Sequence, residues 1–129
     1  MRDFNGDGIP DLVVANATSN SFTFWAGNGD GTFRDTATYH DVITPYSVVA
    51  EDFDGDGAVD VAITMASGWD SILVFPGNGD GTFGEPISYF AGMSPHFIAA
   101  GDFNGDGQID LAVANNDSDT VSIFINTTR

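Results

Sequence analysis

The chain has 129 residues, of which 42% are hydrophobic and 17% are charged, and its 19 acidic residues against three arginines give a formal net charge of −16. This length and composition suit one packed domain, and the negative charge excludes nucleic acid and anionic membranes as partners because both would repel the protein. The sequence has no cysteine, which excludes disulfides and thiolate metal sites.

The first predicted element is an acidic loop at residues 3–11, and the same pattern recurs at 52–60 and 102–110. Each copy has Asp or Asn at loop positions 1, 3, 5 and 9 and glycine at positions 4 and 6. A hard cation such as Ca²⁺ requires this kind of all-oxygen donor set on a sharply bent loop. We therefore predict three Ca²⁺ ions, one per loop. The predicted side-chain ligands are Asp3, Asn5, Asp7 and Asp11; Asp52, Asp54, Asp56 and Asp60; and Asp102, Asn104, Asp106 and Asp110.

The middle repeat predicts four strands, one at 46–50 before its loop and three after it at 59–65, 71–75 and 82–90. The strands that follow the three loops, at 12–15, 61–64 and 111–114, are apolar at almost every position. Continuous apolarity indicates that neighbouring sheets cover both faces of a strand. Asn-Gly and Asp-Gly in the turns at 27–31 and 77–81 favour tight hairpins, because these residues tolerate positive φ.

Four-stranded antiparallel sheets repeated at an interval of about 50 residues are typical of β-propeller blades. We predict an all-β fold in which residues 1–129 form one β-propeller segment, with repeats at 1–51, 52–101 and 102–129. The first repeat lacks its inner strand and the third its outer strand, which leaves about ten strands and about two and a half blades. Because a closed ring usually needs roughly four to eight blades, we expect other blades from a longer chain or from a homo-oligomer.

The loop pattern D-x-[DN]-G-D-G-x-x-D between the first two strands of such a repeat resembles the FG-GAP or VCBS repeat of integrin-α-like propellers. The resemblance covers essentially the whole chain and implies a Ca²⁺ ion in each loop. It also implies that the backbone carbonyl at loop position 7 is a ligand. Those carbonyls belong to Ile9, Ala58 and Gln108.

An EF-hand begins with a similar acidic pattern, but it needs a glutamate at loop position 12 and a helix on each side. Position 12 of the three loops is Val14, Ile63 and Val113, all within predicted strands. The sequence therefore excludes the EF-hand.

Few chemical groups outside the loops suggest a further site. The sequence has neither a nucleophile elbow nor a zinc-binding His-Glu motif, and we predict no enzymatic activity.

Trp69 and Asp70, in a predicted turn, are the candidate ligand contacts, since an exposed Trp beside a carboxylate stacks on sugar rings or partner side chains. We expect a binding or adhesion module for a protein or glycan ligand, without membrane insertion, in the extracellular or secreted environment where Ca²⁺ is abundant.

Three alternative functions stay open. A lectin-type propeller would bind carbohydrate and would lose that binding in the Trp69→Ala variant. The ancillary propeller of a secreted hydrolase or lyase would be encoded together with a catalytic domain. A calcium-hardened spacer would bind no ligand, although Ca²⁺ would still raise its melting temperature.

Overall fold

A computed structural model describes residues 1–128 of the chain. These residues form ten β-strands and no helix, which confirms the predicted all-β fold. The strands are β1 (Leu12–Asn16), β2 (Ser21–Gly27), β3 (Phe33–Tyr39), β4 (Pro45–Glu51), β5 (Asp60–Met65), β6 (Ser71–Phe75), β7 (Ile87–Phe90), β8 (Pro95–Gly101), β9 (Asp110–Asn115) and β10 (Thr120–Phe124).

The strands form three antiparallel sheets, which we call the first, middle and third blades. The first blade has the order β1-β2-β3, the middle blade β4-β5-β6-β7, and the third blade β8-β9-β10. Within each blade every strand pairs with the next strand in the sequence, so each blade is an antiparallel meander. The three sheets are partial propeller blades, and within residues 1–128 they do not close a ring.

The middle blade lies between the other two, and this position explains its burial. All six residues of β5 are buried. Successive side chains of a strand point to opposite faces, so Val61 and Ile63 pack toward the first blade while Ala62 packs toward the third. The prediction that both faces of this strand are covered is confirmed.

The matching strands of the outer blades are less buried than the sequence predicts. All five residues of β1 are only half-buried, and Ala114 in β9 is exposed. The physical reason is that each outer blade packs against the middle blade with one face, and no other sheet of residues 1–128 covers its second face. For these two strands the predicted coverage of both faces is wrong within the described part of the chain.

The outer strand of the middle blade is also shorter than the predicted span of 82–90. Regular pairing is confined to β7, and Phe83 forms only an isolated bridge with Gly77. Pro86 interrupts the ladder because proline has no backbone N–H to donate. In the first blade, Arg2 pairs with Asp11 in a similar isolated bridge at the place of an inner strand.

Candidate metal centres

The second and third acidic loops are each the turn of a hairpin between the inner strand of a blade and its second strand, whereas the first loop is closed by the isolated bridge between Arg2 and Asp11. In the middle blade Glu51 pairs with Asp60, so loop positions 1 and 9 are brought together at the end of the β4–β5 ladder. The loop of the third blade joins β8 to β9 in the same way, with Gly101 paired to Asp110. The strand pairing thus presents the loop side chains at one end of each blade.

Backbone N–H groups surround the first carboxylate of each loop. In the middle blade Asp52 Oδ1 accepts a hydrogen bond from Gly55 N at 2.8 Å, and its Oδ2 accepts one from Gly57 N at 3.0 Å. The same bonds form at Asp3 and Asp102, where the N–H groups of Gly8 and Gly107 respectively contribute most to lowering the carboxyl pKa. These two groups are therefore held in the ionised form that a cation requires.

The glycines at loop positions 4 and 6 allow the backbone to wrap around that carboxylate. Their φ angles lie between 74° and 92°, in the left-handed region that a residue with a Cβ enters only with strain. The side chains at positions 3 and 5 brace the bend, since Asp54 Oδ1 accepts from Asp56 N and Asp56 Oδ1 accepts from Ala58 N. The loop is thus shaped by its own side chains as well as by glycine.

The carboxylate at position 9 has a second role that the sequence does not reveal. Asp11, Asp60 and Asp110 are at most 1% exposed. In the middle blade, Asp60 Oδ2 accepts from Phe53 N at 2.8 Å and Oδ1 accepts from Gly77 N at 2.8 Å. This side chain therefore ties the loop to the start of the distant hairpin, and its burial raises its pKa even though both N–H groups oppose that shift. Asp11 and Asp110 make the equivalent pair of bonds.

In the first and middle blades the residue that donates this second N–H is a glycine, because a side chain would not fit there. A Cβ on Gly77 would overlap the carbonyl oxygen of Val59, and one on Gly27 would overlap that of Pro10. The close approach lets each N–H reach the buried carboxylate across the blade. The glycine-rich turns at 27–31 and 77–81 are hairpin turns, as predicted, with positive φ at Gly29, Gly31, Gly79 and Gly81.

The middle loop brings three carboxylates together. Asp52, Asp54 and Asp60 each present an oxygen, and these oxygens all lie within 4.8 Å of one another. Close carboxylates repel, and a divalent cation that binds only oxygen relieves this repulsion, so the donor set fits Ca²⁺. The other two loops have an asparagine, Asn5 or Asn104, in place of Asp54, which retains an amide oxygen but removes one charge.

The observed bond at loop position 7 is made by the backbone N–H. Ile9, Ala58 and Gln108 each donate to the side chain at position 5 of their loop, over 2.7–2.8 Å. The coordinating role of their carbonyl oxygens stays a prediction, as does that of the other proposed ligands.

In the turn that contains Trp69 and Asp70, Asp70 has a structural role and Trp69 is exposed. Asp70 adopts φ of 48°, and its Oδ1 accepts from Ser94 N at 2.9 Å, which links the middle blade to the third. Asn20 makes the matching bond to Thr44 N at 2.7 Å between the first and middle blades. Trp69 has no counterpart in that turn of the first blade and is 55% exposed. Its side chain is therefore available to a ligand, whereas Asp70 already has a partner.

Sequence reasoning missed an apolar groove between the middle and third blades. Its volume is about 450 Å³, and its walls include Phe53, Ile72, Val74, Tyr89 and Phe124. These residues come from strands and loops up to 71 positions apart in the chain, from 53 to 124. The sequence signal that points to this groove is a position-by-position comparison of the repeats.

The model of a family described as FG-GAP-like repeat matches residues 3–63 and again residues 52–113. The two matches together include all three acidic loops. A comparison with curated proteins found no match. Within residues 1–128, no helix is long and apolar enough to cross a membrane.

Proposed function

The chain belongs to the FG-GAP-like repeat family, and on that basis we propose that it is a calcium-binding β-propeller module that binds a protein or glycan ligand outside the cell. The observation that carries the proposal is the acidic loop, which recurs three times with the same internal hydrogen bonds. In the middle blade that loop also brings three carboxylates within 4.8 Å of one another.

Calcium is proposed to act on stability rather than on chemistry. Three divalent ions would contribute six positive charges, so the net charge of −16 would become −10. The ions would hold the loops that end each inner strand, and they would relieve the repulsion that ten loop carboxylates create. The loop carboxylates accept hydrogen bonds from backbone N–H groups and would also bind calcium. They would therefore not be free for acid–base chemistry, which supports a role without catalysis.

Calorimetric titration tests the metal proposal directly. We expect three Ca²⁺ ions per chain, and two in the Asp56→Ala variant, which loses one exposed carboxylate of the middle loop. The matched control is Asp80→Ala, because Asp80 is also an exposed turn aspartate but bonds only to Thr82. Absence of saturable Ca²⁺ binding, or an equal loss in the control variant, would contradict the assignment.

The exposure of Trp69 favours carbohydrate as the second candidate ligand, since indole rings stack on sugar faces. On this hypothesis, the unmodified protein binds a glycan on an array, and the Trp69→Ala variant no longer binds that glycan. Phe97→Ala is the matched control, because Phe97 is an aromatic residue of comparable exposure that lies on β8 and not in this turn. Unchanged glycan binding by the Trp69 variant would place the ligand elsewhere on the protein.

A further inference from the structure

The hairpin turn at 77–81 contacts two acidic loops at once. At its start, Gly77 N donates at 2.8 Å to Oδ1 of Asp60, a proposed ligand of the middle loop. At its end, Gly81 N donates across the blade interface to Phe4 O in the first loop, at 3.0 Å. The turn therefore joins the middle loop to the first loop through its own backbone.

Phe4 is the residue of the first loop that receives the turn, and it stands between two proposed ligands, Asp3 and Asn5. Its N–H donates at 2.9 Å to Oδ2 of Asp11, a third proposed ligand. Its ring is buried and packs edge-on against the ring of Phe83, with the centroids 5.8 Å apart. The first loop thus contains a residue whose carbonyl group and ring are both held by the middle blade.

A continuous series of hydrogen bonds and peptide groups connects a buried carboxylate of one loop to that of the other. Both carboxylates belong to loop position 9, and both are at most 1% exposed. The series consists, in order, of Asp60, Gly77, the backbone of the turn, Gly81, Phe4 and Asp11. Each end of the series is a proposed calcium ligand, so the two proposed sites are physically connected.

The turn between these contacts is closed by four further hydrogen bonds. Asn78 donates to Thr82 twice, from its backbone N–H to the carbonyl oxygen at 3.0 Å and from Nδ2 to Oγ1 at 2.9 Å. Asp80 Oδ1 accepts from the N–H and from the hydroxyl group of Thr82. These bonds fix the two ends of the turn relative to each other, and a rigid element of this kind can carry energetic coupling between two sites.

The turn also fits closely on the first loop. A Cβ on Gly81 would lie 2.7 Å from the ring of Phe24 and 3.5 Å from the Cβ of Asn5. A Cβ on Gly6 would lie 3.6 Å from the carbonyl oxygen of Gly79. Because so little space separates them, the position of the turn and the shape of the first loop depend on each other.

We propose that the turn at 77–81 couples the first and middle calcium sites, so that calcium bound at either loop raises the calcium affinity of the other. This inference rests on the proposed calcium binding and adds a regulation of those sites. The physical reason is shared ordering, since a loop that is already fixed also fixes the turn, and the second loop then loses less conformational freedom on binding. Coupling of this kind is reciprocal and typically changes affinity by about 5- to 150-fold.

Calorimetric titration of variants with one or two intact loops tests the coupling. Asp7→Ala, Asp56→Ala and Asp106→Ala remove equivalent ligands from the first, middle and third loops, and their three pairwise combinations leave one loop each. In Asp106→Ala, the overall affinity for two ions should exceed the product of the affinities of the first and middle loops alone by at least about fivefold. The titrations are done at about 0.15 M salt, where repulsion between exposed charges is screened.

Asp56→Ala is the matched control for this comparison, because it leaves the first and third loops, which lie on opposite sides of the middle blade. Its overall affinity for two ions should equal the product of the affinities of those two loops alone. An equal gain in Asp56→Ala and Asp106→Ala would show a general effect of charge and would overturn the proposal, as would the absence of any gain in Asp106→Ala.

A substitution in the turn locates the coupling. Gly81→Ala, added to Asp106→Ala, should remove the cooperative gain, and the middle loop alone should still bind calcium, which shows that the variant is folded. Gly31→Ala is the matched control, because φ is 85° at Gly81 and 88° at Gly31, but a Cβ on Gly31 would meet no atom within 4 Å. The gain should persist in this control.

An equal loss of the gain in the Gly81 and Gly31 variants would assign the effect to backbone strain and contradict a role of the contact with the first loop. Absence of saturable calcium binding in the unmodified protein would overturn both this inference and the metal proposal. Three ions that bind independently would overturn this inference alone. The two failures are therefore distinguishable.

Discussion

Removal of calcium with excess EGTA is expected to lower the melting temperature of the protein by at least about 10 °C. An ion that binds only the folded state stabilises it by about 2.7 kcal/mol per site when its free concentration is 100 times the dissociation constant. The three proposed sites act on three hairpins of one packed unit, and each hairpin contributes to the cores between the blades. The effect of chelation should therefore approach the whole stability of an ordinary domain.

Far-ultraviolet circular dichroism, recorded during heating with and without EGTA, measures this effect. Excess Ca²⁺ should restore the original melting curve, which excludes irreversible damage. Mg²⁺ at the same concentration is the matched ion control, and it should restore less, because it demands smaller and more regular octahedral coordination. A melting curve that does not change after chelation would contradict the structural role of calcium.

Substitution of Asp60 by alanine is expected to destabilise the protein both with and without calcium. The change removes the acceptor of two backbone N–H groups, on Phe53 and Gly77. An unsatisfied buried N–H costs about 1–3 kcal/mol, so the free energy of unfolding should fall by roughly 2–6 kcal/mol even in EGTA. Chemical denaturation in urea measures this difference.

Asp54→Ala is the matched control for Asp60→Ala. Both residues present oxygens to the same cluster, but Asp54 is exposed and accepts only the N–H of Asp56 within its own loop. The free energy of unfolding of the Asp54→Ala variant should fall greatly when calcium is present and only slightly in EGTA. If the two variants lose the same stability with calcium and neither loses any without it, Asp60 is a metal ligand alone and its tie to the hairpin contributes nothing.

The blade organisation was predictable because it depends on local pattern. Loops at intervals of 49 and 50 residues mark the repeats, and a meander pairs each strand with the next strand in the sequence. The turn at 77–81 needs only residues that accept positive φ, and these are visible as Asn-Gly and Asp-Gly. The span of β7 was less predictable, since the bridge of Phe83 to Gly77 and the gap at Pro86 interrupt an otherwise strand-like segment.

The candidate metal ligands were also accessible from the sequence, because all side-chain donors of one site lie within nine consecutive residues. The second role of Asp60 was not, since Gly77 is 17 residues away and meets it only after the blade has formed. The same holds for Asp70, whose carboxylate bonds to Ser94, 24 residues further along the chain. A turn aspartate bonded in this way looks identical in the sequence to one that is free.

The sequence by itself determined the repeat, the all-β class, the hairpins and the acidic loops, because each depends on residues that are close along the chain. Only the tertiary structure decided which strand is covered on both faces, which carboxylates are buried in backbone bonds, and where one blade interface is filled and the next is open. Those properties depend on which sheets lie against each other. Thus β1 and β5 have the same apolar pattern, but only β5 is covered on both faces.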